Sequence, residues 1–314
     1  MSRARLLVPL VCVVAACSSG ASVSTSAPRS SAPMVSDFSV AAADVTLHAR
    51  AVGPAEAAET LITVHGGPGL SLEAMTAYER LVGPERRVVG YDQRGSGRST
   101  SSSTGDFSLA AQVADLEALR IALRVDTVEL LGESWGGGLA AAYAAAHPER
   151  VSALVLVGSI PLERAEVRAG QRRFLNHVQM LQAEGLIPDP VPSIANGSCM
   201  PAIEAELPAY VSDPRSHPPA PLGSCTGSTA RAAYASLLAD STVEESARRL
   251  ARYTGRALVV MGDDDAFGLE WLDLNVRLLA GASVDRFAVP SAGHLVMVDQ
   301  PDLVLARIVS FLDG

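Results

Sequence analysis

The pentapeptide GESWG at residues 132–136 matches the G-x-S-x-G pattern, in which a serine can act as a nucleophile. A strand-like run, TVELL, directly precedes it, and an Ala-rich helical stretch follows it. This context predicts a sharp strand-to-helix turn that exposes Ser134 and directs the partial positive charge of a helix N-terminus at the site. The chemistry indicated is the attack of a serine hydroxyl on an electrophilic carbon.

A nucleophilic serine needs a base, and the base needs an acid that orients it. In this strand–turn–helix context the three residues are expected in the chain order Ser, acid, His. His294 follows a strand predicted at residues 283–289 and is the predicted base. Three consecutive aspartates, residues 263–265, follow a strand predicted at residues 256–261, and the acid is expected to be one of them.

Two backbone N–H groups are expected to stabilise the negative charge that develops on the substrate oxygen. Trp135, directly after the nucleophile, is predicted to supply the first. The glycine-rich loop HGGPG at residues 65–69 follows another predicted strand, and Gly67 is predicted to supply the second. His65 is interpreted as a structural residue that holds this loop by hydrogen bonds.

The order of strand-like and helical runs predicts an α/β fold with a mostly parallel central sheet and helices on both faces. The core is assigned to residues 37–160 and 251–314, where the two kinds of run alternate. Residues 161–250 have helical stretches around a proline-rich middle. They are predicted to form a cap inserted over the carboxyl ends of the strands, where ligands bind in such sheets.

The N-terminus has the pattern of an export signal, with a basic start, a short apolar run and small residues before Cys17. Residues 1–16 are predicted to be a signal peptide. Because the run VAAC resembles a bacterial lipobox, Cys17 is predicted to be lipidated, and a plain signal peptide with an incidental cysteine is the alternative. Residues 17–36, rich in Ser, Ala and Pro, are predicted to be a flexible tether that holds the protein at the cell envelope.

The other cysteines and the net charge restrict the possible partners. Cys199 and Cys225 would remain after export, and a disulfide between them is predicted, with two free thiols as the alternative. No histidine stands beside them at ligand spacing, so no zinc site is expected. The net charge is −9 and there is no basic stripe, which argues against nucleic acid as a partner. The lipid is the expected membrane contact.

Three motifs together resemble the proline iminopeptidase (prolyl aminopeptidase) family of α/β-hydrolases. They are HGGPG at residues 65–69, YDQRGSGRS at residues 91–99 and GESWGG at residues 132–137. The resemblance implies the α/β-hydrolase fold, hydrolysis of the peptide bond after an N-terminal residue, often proline, and no metal or cofactor. Members of the family commonly show Gly-x-x-Asp at the acid position, which selects Asp265, with Asp263 as the second choice.

In that family, carboxylates of a helical cap bind the free amine of the substrate. This chain lacks the Trp-x-x-Trp-Glu run that members often carry in the cap, and four cap glutamates are candidates: Glu204, Glu206, Glu244 and Glu245. The sequence thus predicts a serine hydrolase that acts as an aminopeptidase on short peptides. An esterase or lactonase with the same triad, and a catalytically silent lipoprotein that binds a small ligand, are the alternatives.

Overall fold

The computed structural model describes residues 34–194 and 197–314. The predicted signal peptide, the lipidation of Cys17 and most of the predicted tether concern residues 1–33 and lie outside the described residues. The first strand, β1, begins at Val35, so the last two residues of the segment predicted as a tether belong to the sheet. In the described part of the chain, no helix is both long and apolar enough to cross a bilayer.

The described residues form one sheet of eight strands. The strands are β1 (Val35–Ala42), β2 (Val45–Val52), β3 (Glu59–Val64), β4 (Arg86–Tyr91), β5 (Val128–Glu133), β6 (Val151–Val157), β7 (Arg256–Gly262) and β8 (Ser283–Val289). Their order across the sheet is β1-β2-β4-β3-β5-β6-β7-β8. The pairs β1–β2 and β2–β4 are antiparallel, and the other neighbouring pairs are parallel. The prediction of a mostly parallel sheet is confirmed.

Helices cover both faces of this sheet. The helices of the described residues are α1 (Leu109–Ala122), α2 (Trp135–Ala146), α3 (Arg164–Ala183), α4 (Met200–Glu206), α5 (Gly227–Ala239), α6 (Val243–Leu250), α7 (Glu270–Leu278), α8 (Val296–Asp299) and α9 (Pro301–Leu312), with short 3-10 helices at Leu72–Leu81, Pro148–Arg150 and Leu207–Ala209. In β6, Leu154 and Leu156 belong to one apolar core with residues of α1 and α2, whereas Val155 and Val157 belong to another with residues of α9. Alternate side chains of a strand point to opposite faces, which is why β6 is apolar throughout.

The segment predicted as a cap, residues 161–250, contains helices α3 to α6. Helix α4 was not predicted, because it lies in the proline-rich middle of that segment. Its proline, Pro201, stands in the first turn, where a missing backbone N–H removes no helical hydrogen bond. A small apolar cluster that includes Phe174 of α3 also contacts Phe267, which follows β7, and so packs part of the cap against the carboxyl end of the sheet.

Candidate active site

Ser134 lies at the sharp turn between β5 and α2, as the motif predicts. Its backbone has φ 54° and ψ −116°, a conformation that a residue with a side chain rarely adopts. The glycines around it allow the turn to close. A Cβ atom at Gly132 would overlap the backbone of Gly136, and a Cβ atom at Gly136 would overlap the carbonyl oxygen of Val64. The motif glycines therefore permit the close packing that holds Ser134 in its strained position.

The structure brings Ser134, His294 and Asp265 into one hydrogen-bonded chain. The Oγ atom of Ser134 lies 2.9 Å from Nε2 of His294, and Nδ1 of the same ring lies 2.8 Å from Oδ2 of Asp265. His294 is on the loop after β8, and Asp265 is on the loop after β7. The second oxygen of Asp265 accepts the backbone N–H of Phe267 at 2.9 Å, which fixes the carboxylate. This arrangement matches that of a nucleophile, a base and an orienting acid.

The imidazole of His294 is buried, with 2% of the residue exposed. Burial by itself lowers the pKa of His294, but the charge and hydrogen bond of Asp265, together with the charge of Glu133, raise it above the usual histidine value. The aromatic ring of Phe267 packs against the imidazole with a centroid distance of 4.6 Å. Because a base must be neutral to accept a proton, an activity that depends on His294 decreases as the pH falls through this raised pKa.

Hydrogen bonds hold the HGGPG loop beside the nucleophile. Nδ1 of His65 donates to the carbonyl oxygen of Gly66 (3.0 Å), and its Nε2 accepts the backbone N–H of Gln93 (3.1 Å). Burial lowers the pKa of His65, in keeping with a neutral ring. The Gln93 side chain donates to the His65 carbonyl oxygen (2.8 Å) and accepts from Trp135 Nε1 (3.0 Å). Gln93 belongs to the YDQRGSGRS motif, and no role for it was predicted from the sequence. Its side chain connects the two segments that are predicted to supply the oxyanion N–H groups.

The loop that follows β4 is organised around a buried carboxylate. Asp92 accepts the backbone N–H groups of Leu72 (2.8 Å) and Arg98 (2.9 Å), and it bonds Nδ1 of His48 (3.0 Å). These bonds connect the loop to β2 and to the 3-10 helix at Leu72–Leu81. The YDQRGSGRS motif therefore shapes the loop that carries Gln93.

A cavity of about 700 Å³ opens at Ser134. Ser134, Trp135 and Gly67 line it together. Most of the remaining lining is apolar or aromatic and comes from residues 161–250 and from the loop after β7. It includes Phe174, Leu175, Ile203, Tyr234, Leu238 and Phe267. A cavity of this size is typical of sites that enclose a small organic ligand. The predicted oxyanion donors thus belong to residues that border the same space as the serine.

Of the four candidate cap glutamates, the structure places Glu206 in the lining of this cavity. Its carboxyl is half-buried, and burial raises its pKa. Glu204 is exposed on the same helix. Glu244 is paired with Arg164 at 2.9 Å, and Glu245 is paired with arginines of its own helix. Arg231 of α5 also borders the cavity and donates to the carbonyl oxygen of Ile194 at 2.8 Å.

The predicted disulfide between Cys199 and Cys225 is present in the structure. Cys199 stands directly before α4, and the segment of Cys225 runs beside the HGGPG loop, where Thr226 N–H donates to the carbonyl oxygen of Gly69 at 2.8 Å. The covalent bond thus connects the start of the helix that carries Glu206 to a segment that is hydrogen-bonded to the loop of the proposed oxyanion donor. It stabilises one side of the cavity.

Comparisons with known proteins agree with this fold. A profile of the family described as alpha/beta hydrolase fold matches residues 59–204. The chain has the α/β-hydrolase fold. Over 125 residues it is 40% identical to a proline iminopeptidase of Xylella fastidiosa, an alignment that spans 38% of this chain and 38% of that protein. A proline iminopeptidase of Arabidopsis thaliana is 37% identical over 114 residues, which span 34% of this chain and 28% of the relative. The matched segments thus span only 28% to 38% of the length of these relatives.

Solved structures show the same fold over a larger part of the chain. A proline iminopeptidase from Mycobacterium smegmatis superposes with a TM-score of 0.62 at 21% identity, covering 88% of this chain and 98% of that one. An esterase from Exiguobacterium antarcticum has a TM-score of 0.60 at 19% identity and covers 88% of this chain and 99% of its own. At such identities the likeness concerns the fold alone. The substrate has to be argued from the site.

Proposed function

We propose that this protein is a serine hydrolase that acts as an aminopeptidase, releasing N-terminal residues of the proline type from short peptides. The observation that carries the proposal is the hydrogen-bonded chain from Ser134 through His294 to Asp265, which lies beside a cavity of about 700 Å³. The named relatives, which are proline iminopeptidases, support the aminopeptidase assignment.

The proposed reaction is acyl transfer. Ser134 Oγ attacks the scissile carbonyl carbon while His294 Nε2 takes the hydroxyl proton. The N–H groups of Gly67 and Trp135 stabilise the oxyanion, and Asp265 stabilises the imidazolium. His294 then protonates the leaving amine, and the acyl-enzyme remains. A water molecule, deprotonated by His294, attacks the ester and releases the acid product and free Ser134.

Glu206 is the residue that we propose for recognition of the substrate's free amine. It is the one candidate glutamate that the described lining of the cavity contains, and its neighbours there are mostly apolar. A carboxylate in such surroundings is poorly solvated, which is consistent with its raised pKa. An ammonium group beside it would favour the ionised form and replace the lost hydration with a charge-assisted hydrogen bond.

The substitution Glu206→Gln is expected to lower kcat/KM for a proline arylamide with a free N-terminus by about 10- to 100-fold, since a hydrogen bond to a charged group would be weakened. Ester substrates without an amine are expected to react at nearly the wild-type rate. Glu204→Gln, on the exposed side of the same helix, is the matched control. An equal loss on both substrate types would assign Glu206 to folding of the cap and remove it from amine recognition.

An esterase is the second candidate, because the largely apolar lining of the cavity also suits an acyl chain. The full-length chain is assayed with a proline arylamide beside a short-chain nitrophenyl ester, and Ser134→Ala serves as the control. Arylamide turnover that needs a free N-terminus supports the aminopeptidase. Turnover of the ester alone supports the esterase and contradicts the aminopeptidase assignment.

We further propose that the protein is exported and anchored to the cell envelope through a lipid on Cys17. The signal-like N-terminus supports this, and so does the disulfide, since such bonds persist in oxidising compartments. Mass spectrometry of the protein isolated from its host is expected to show a chain that begins at Cys17, carries lipid and contains the disulfide. A chain that retains Met1 and has reduced cysteines would overturn this proposal.

A further inference from the structure

The side chain of Gln93 is a buried link between the two segments that are proposed to supply the oxyanion N–H groups. Its Nε2 atom donates to the carbonyl oxygen of His65 at 2.8 Å, and its Oε1 atom accepts from Nε1 of Trp135 at 3.0 Å. Gln93 is only 3% exposed. It does not belong to the described lining of the cavity, so contact with a substrate does not account for it.

The chemistry of the two partners fixes the orientation of this amide. A carbonyl oxygen can only accept a hydrogen bond, and an indole N–H can only donate one. The amide nitrogen of Gln93 therefore faces His65, and the amide oxygen faces Trp135. The backbone of Gln93 is held as well, because its N–H donates to Nε2 of His65 at 3.1 Å and its carbonyl oxygen accepts from the N–H of Ser96 at 2.9 Å. The link is thus anchored at both of its ends.

The linked segments pack against each other and against the nucleophile. A Cβ atom at Gly136, which follows the second proposed donor, would overlap the carbonyl oxygen of His65, the same oxygen that accepts from the glutamine. A Cβ atom at Gly66 would come within 3.2 Å of the Cβ atom of Ser134. Gly67 follows with a φ of 41°, in the left-handed region. Because the packing is this close, a displacement of His65 would also move the Gly67 N–H.

We propose that Gln93 is a positioning residue that fixes the N–H groups of Gly67 and Trp135 relative to each other and so sets the geometry of the oxyanion hole. The inference rests on the proposed serine hydrolase function and deepens it. Both donors must point at the place where the negative charge develops, and a misplacement of about 1 Å can cost about a hundredfold in rate. Since the oxyanion forms only in the reaction, the link affects the rate of the chemical step more than the binding of the reactant.

The experiment measures the rate at which a fluorophosphonate probe labels the full-length chain, over a range of probe concentrations. Ser134 Oγ bonds to phosphorus, fluoride leaves, and the hydroxyl proton passes to His294. The phosphoryl oxygen takes the place of the substrate's carbonyl oxygen, so the maximal labelling rate reports on the oxyanion hole without any knowledge of the substrate. The probe concentration that gives half of this rate reports on binding before the reaction.

In Gln93→Met the maximal labelling rate is expected to be about 10- to 100-fold lower, while the half-maximal concentration changes by less than about threefold. Methionine has a similar length, but it cannot donate to His65 and its sulfur is a weak acceptor. Gln112→Met is the matched control. Gln112 of α1 is also 3% exposed and donates to the carbonyl oxygen of Phe107 at 3.2 Å. Both variants are expected to have a lower melting temperature, but Gln112→Met is expected to keep its maximal rate within about twofold of the wild type.

Gln93→Glu tests the link through its pH dependence. A protonated carboxyl has a donor and an acceptor, as the amide has, whereas an ionised one cannot donate to His65. Burial and the facing carbonyl oxygen favour the protonated form, so the pKa of the introduced carboxyl is expected above the usual glutamate range. The ratio of the variant's maximal rate to that of the wild type is therefore expected to be near one below this pKa and to fall about 10- to 100-fold above it. His65 stays neutral as the pH rises, because burial lowers its pKa.

The outcomes separate this inference from the function on which it rests. A wild-type chain that the probe does not label, or a Ser134→Ala chain that it labels equally, overturns the serine hydrolase function itself. Labelling of the wild type with an unchanged maximal rate in Gln93→Met overturns the role of Gln93. Equal losses of rate in Gln93→Met and Gln112→Met show that Gln93 only supports the fold. If Gln93→Met does not fold, the Gln93→Glu profile decides, and a ratio to the wild type that is the same at every pH overturns the inference.

Discussion

Ser134→Ala is expected to lower the kcat for hydrolysis by about 10⁶-fold, because the proposed chemistry has no other nucleophile. The oxyanion N–H groups and the cavity remain in this variant. A residual acceleration of about 10³- to 10⁴-fold over the uncatalysed reaction is therefore expected. The measurement compares kcat of the wild type and the variant on the proline arylamide or the nitrophenyl ester, whichever the wild type hydrolyses. Labelling of Ser134 by a fluorophosphonate probe is expected to disappear in parallel.

The control for this experiment is Ser212→Ala. The hydroxyl of Ser212 donates to Asp264 at 2.8 Å and lies outside the hydrogen-bonded chain of Ser134 and His294. Its loss is expected to change kcat by less than about twofold, as a surface hydrogen bond contributes little. A Ser134→Ala variant that folds, as judged by its melting temperature, and retains a tenth or more of the wild-type kcat would contradict the assignment of the nucleophile.

The sequence was sufficient to predict that Ser134 and His294 lie close together, because local and topological rules determine where these residues lie. A G-x-S-x-G segment between a strand and a helix specifies a turn, and the tight packing around Gly132 and Gly136 requires that spacing. The parallel sheet then brings the ends of β5, β7 and β8 to the same edge. His294 follows β8 directly, so it was predicted near Ser134 without any knowledge of side-chain contacts.

Other features depend on contacts between distant segments, and the sequence did not reveal them. Tyr78 and Glu133 are 55 residues apart and meet because the 3-10 helix packs behind β5. Glu206 could not be selected from four candidates, since its place in the cavity depends on how α4 is held. That helix begins at a disulfide and contains a proline, so its composition resembles that of an irregular segment. The position of Glu206 is therefore determined by how α4 packs, rather than by local helix propensity.

Local sequence also does not distinguish among the three aspartates at residues 263–265. They have the same side chain and differ only in position, so the contacts of each one decide which lies beside His294. In the structure, Asp265 is buried and points its Oδ2 at His294. Asp264 accepts from Ser212, and Asp263 is exposed near the N–H of Ala292. The resemblance to Gly-x-x-Asp selected Asp265, the aspartate that the structure places beside His294.

Asp265→Asn is expected to lower kcat by about 10⁴-fold while leaving the fold intact. The amide of asparagine can donate to Nδ1 of His294, which would place the ring proton on Nε2. A protonated Nε2 cannot accept the proton of Ser134, so the imidazole would be held in the wrong tautomer for a base. Loss of the charge also removes one of the two carboxylates that raise the pKa of His294, and the acid limb of the pH profile is expected at lower pH.

Asp263→Asn is the matched control, since it removes the same charge two residues away and leaves an amide oxygen that can still accept from Ala292. Its kcat is expected to stay within about threefold of the wild type, as the effect of an exposed charge is screened by water. Equal losses in the two variants would mean that net charge near the site matters more than the bond to Nδ1, and Asp265 would lose its role as the orienting acid. A large loss of kcat in Asp265→Asn alone, together with much slower labelling of Ser134 by a fluorophosphonate probe, would show that the tautomer of His294 limits the reaction.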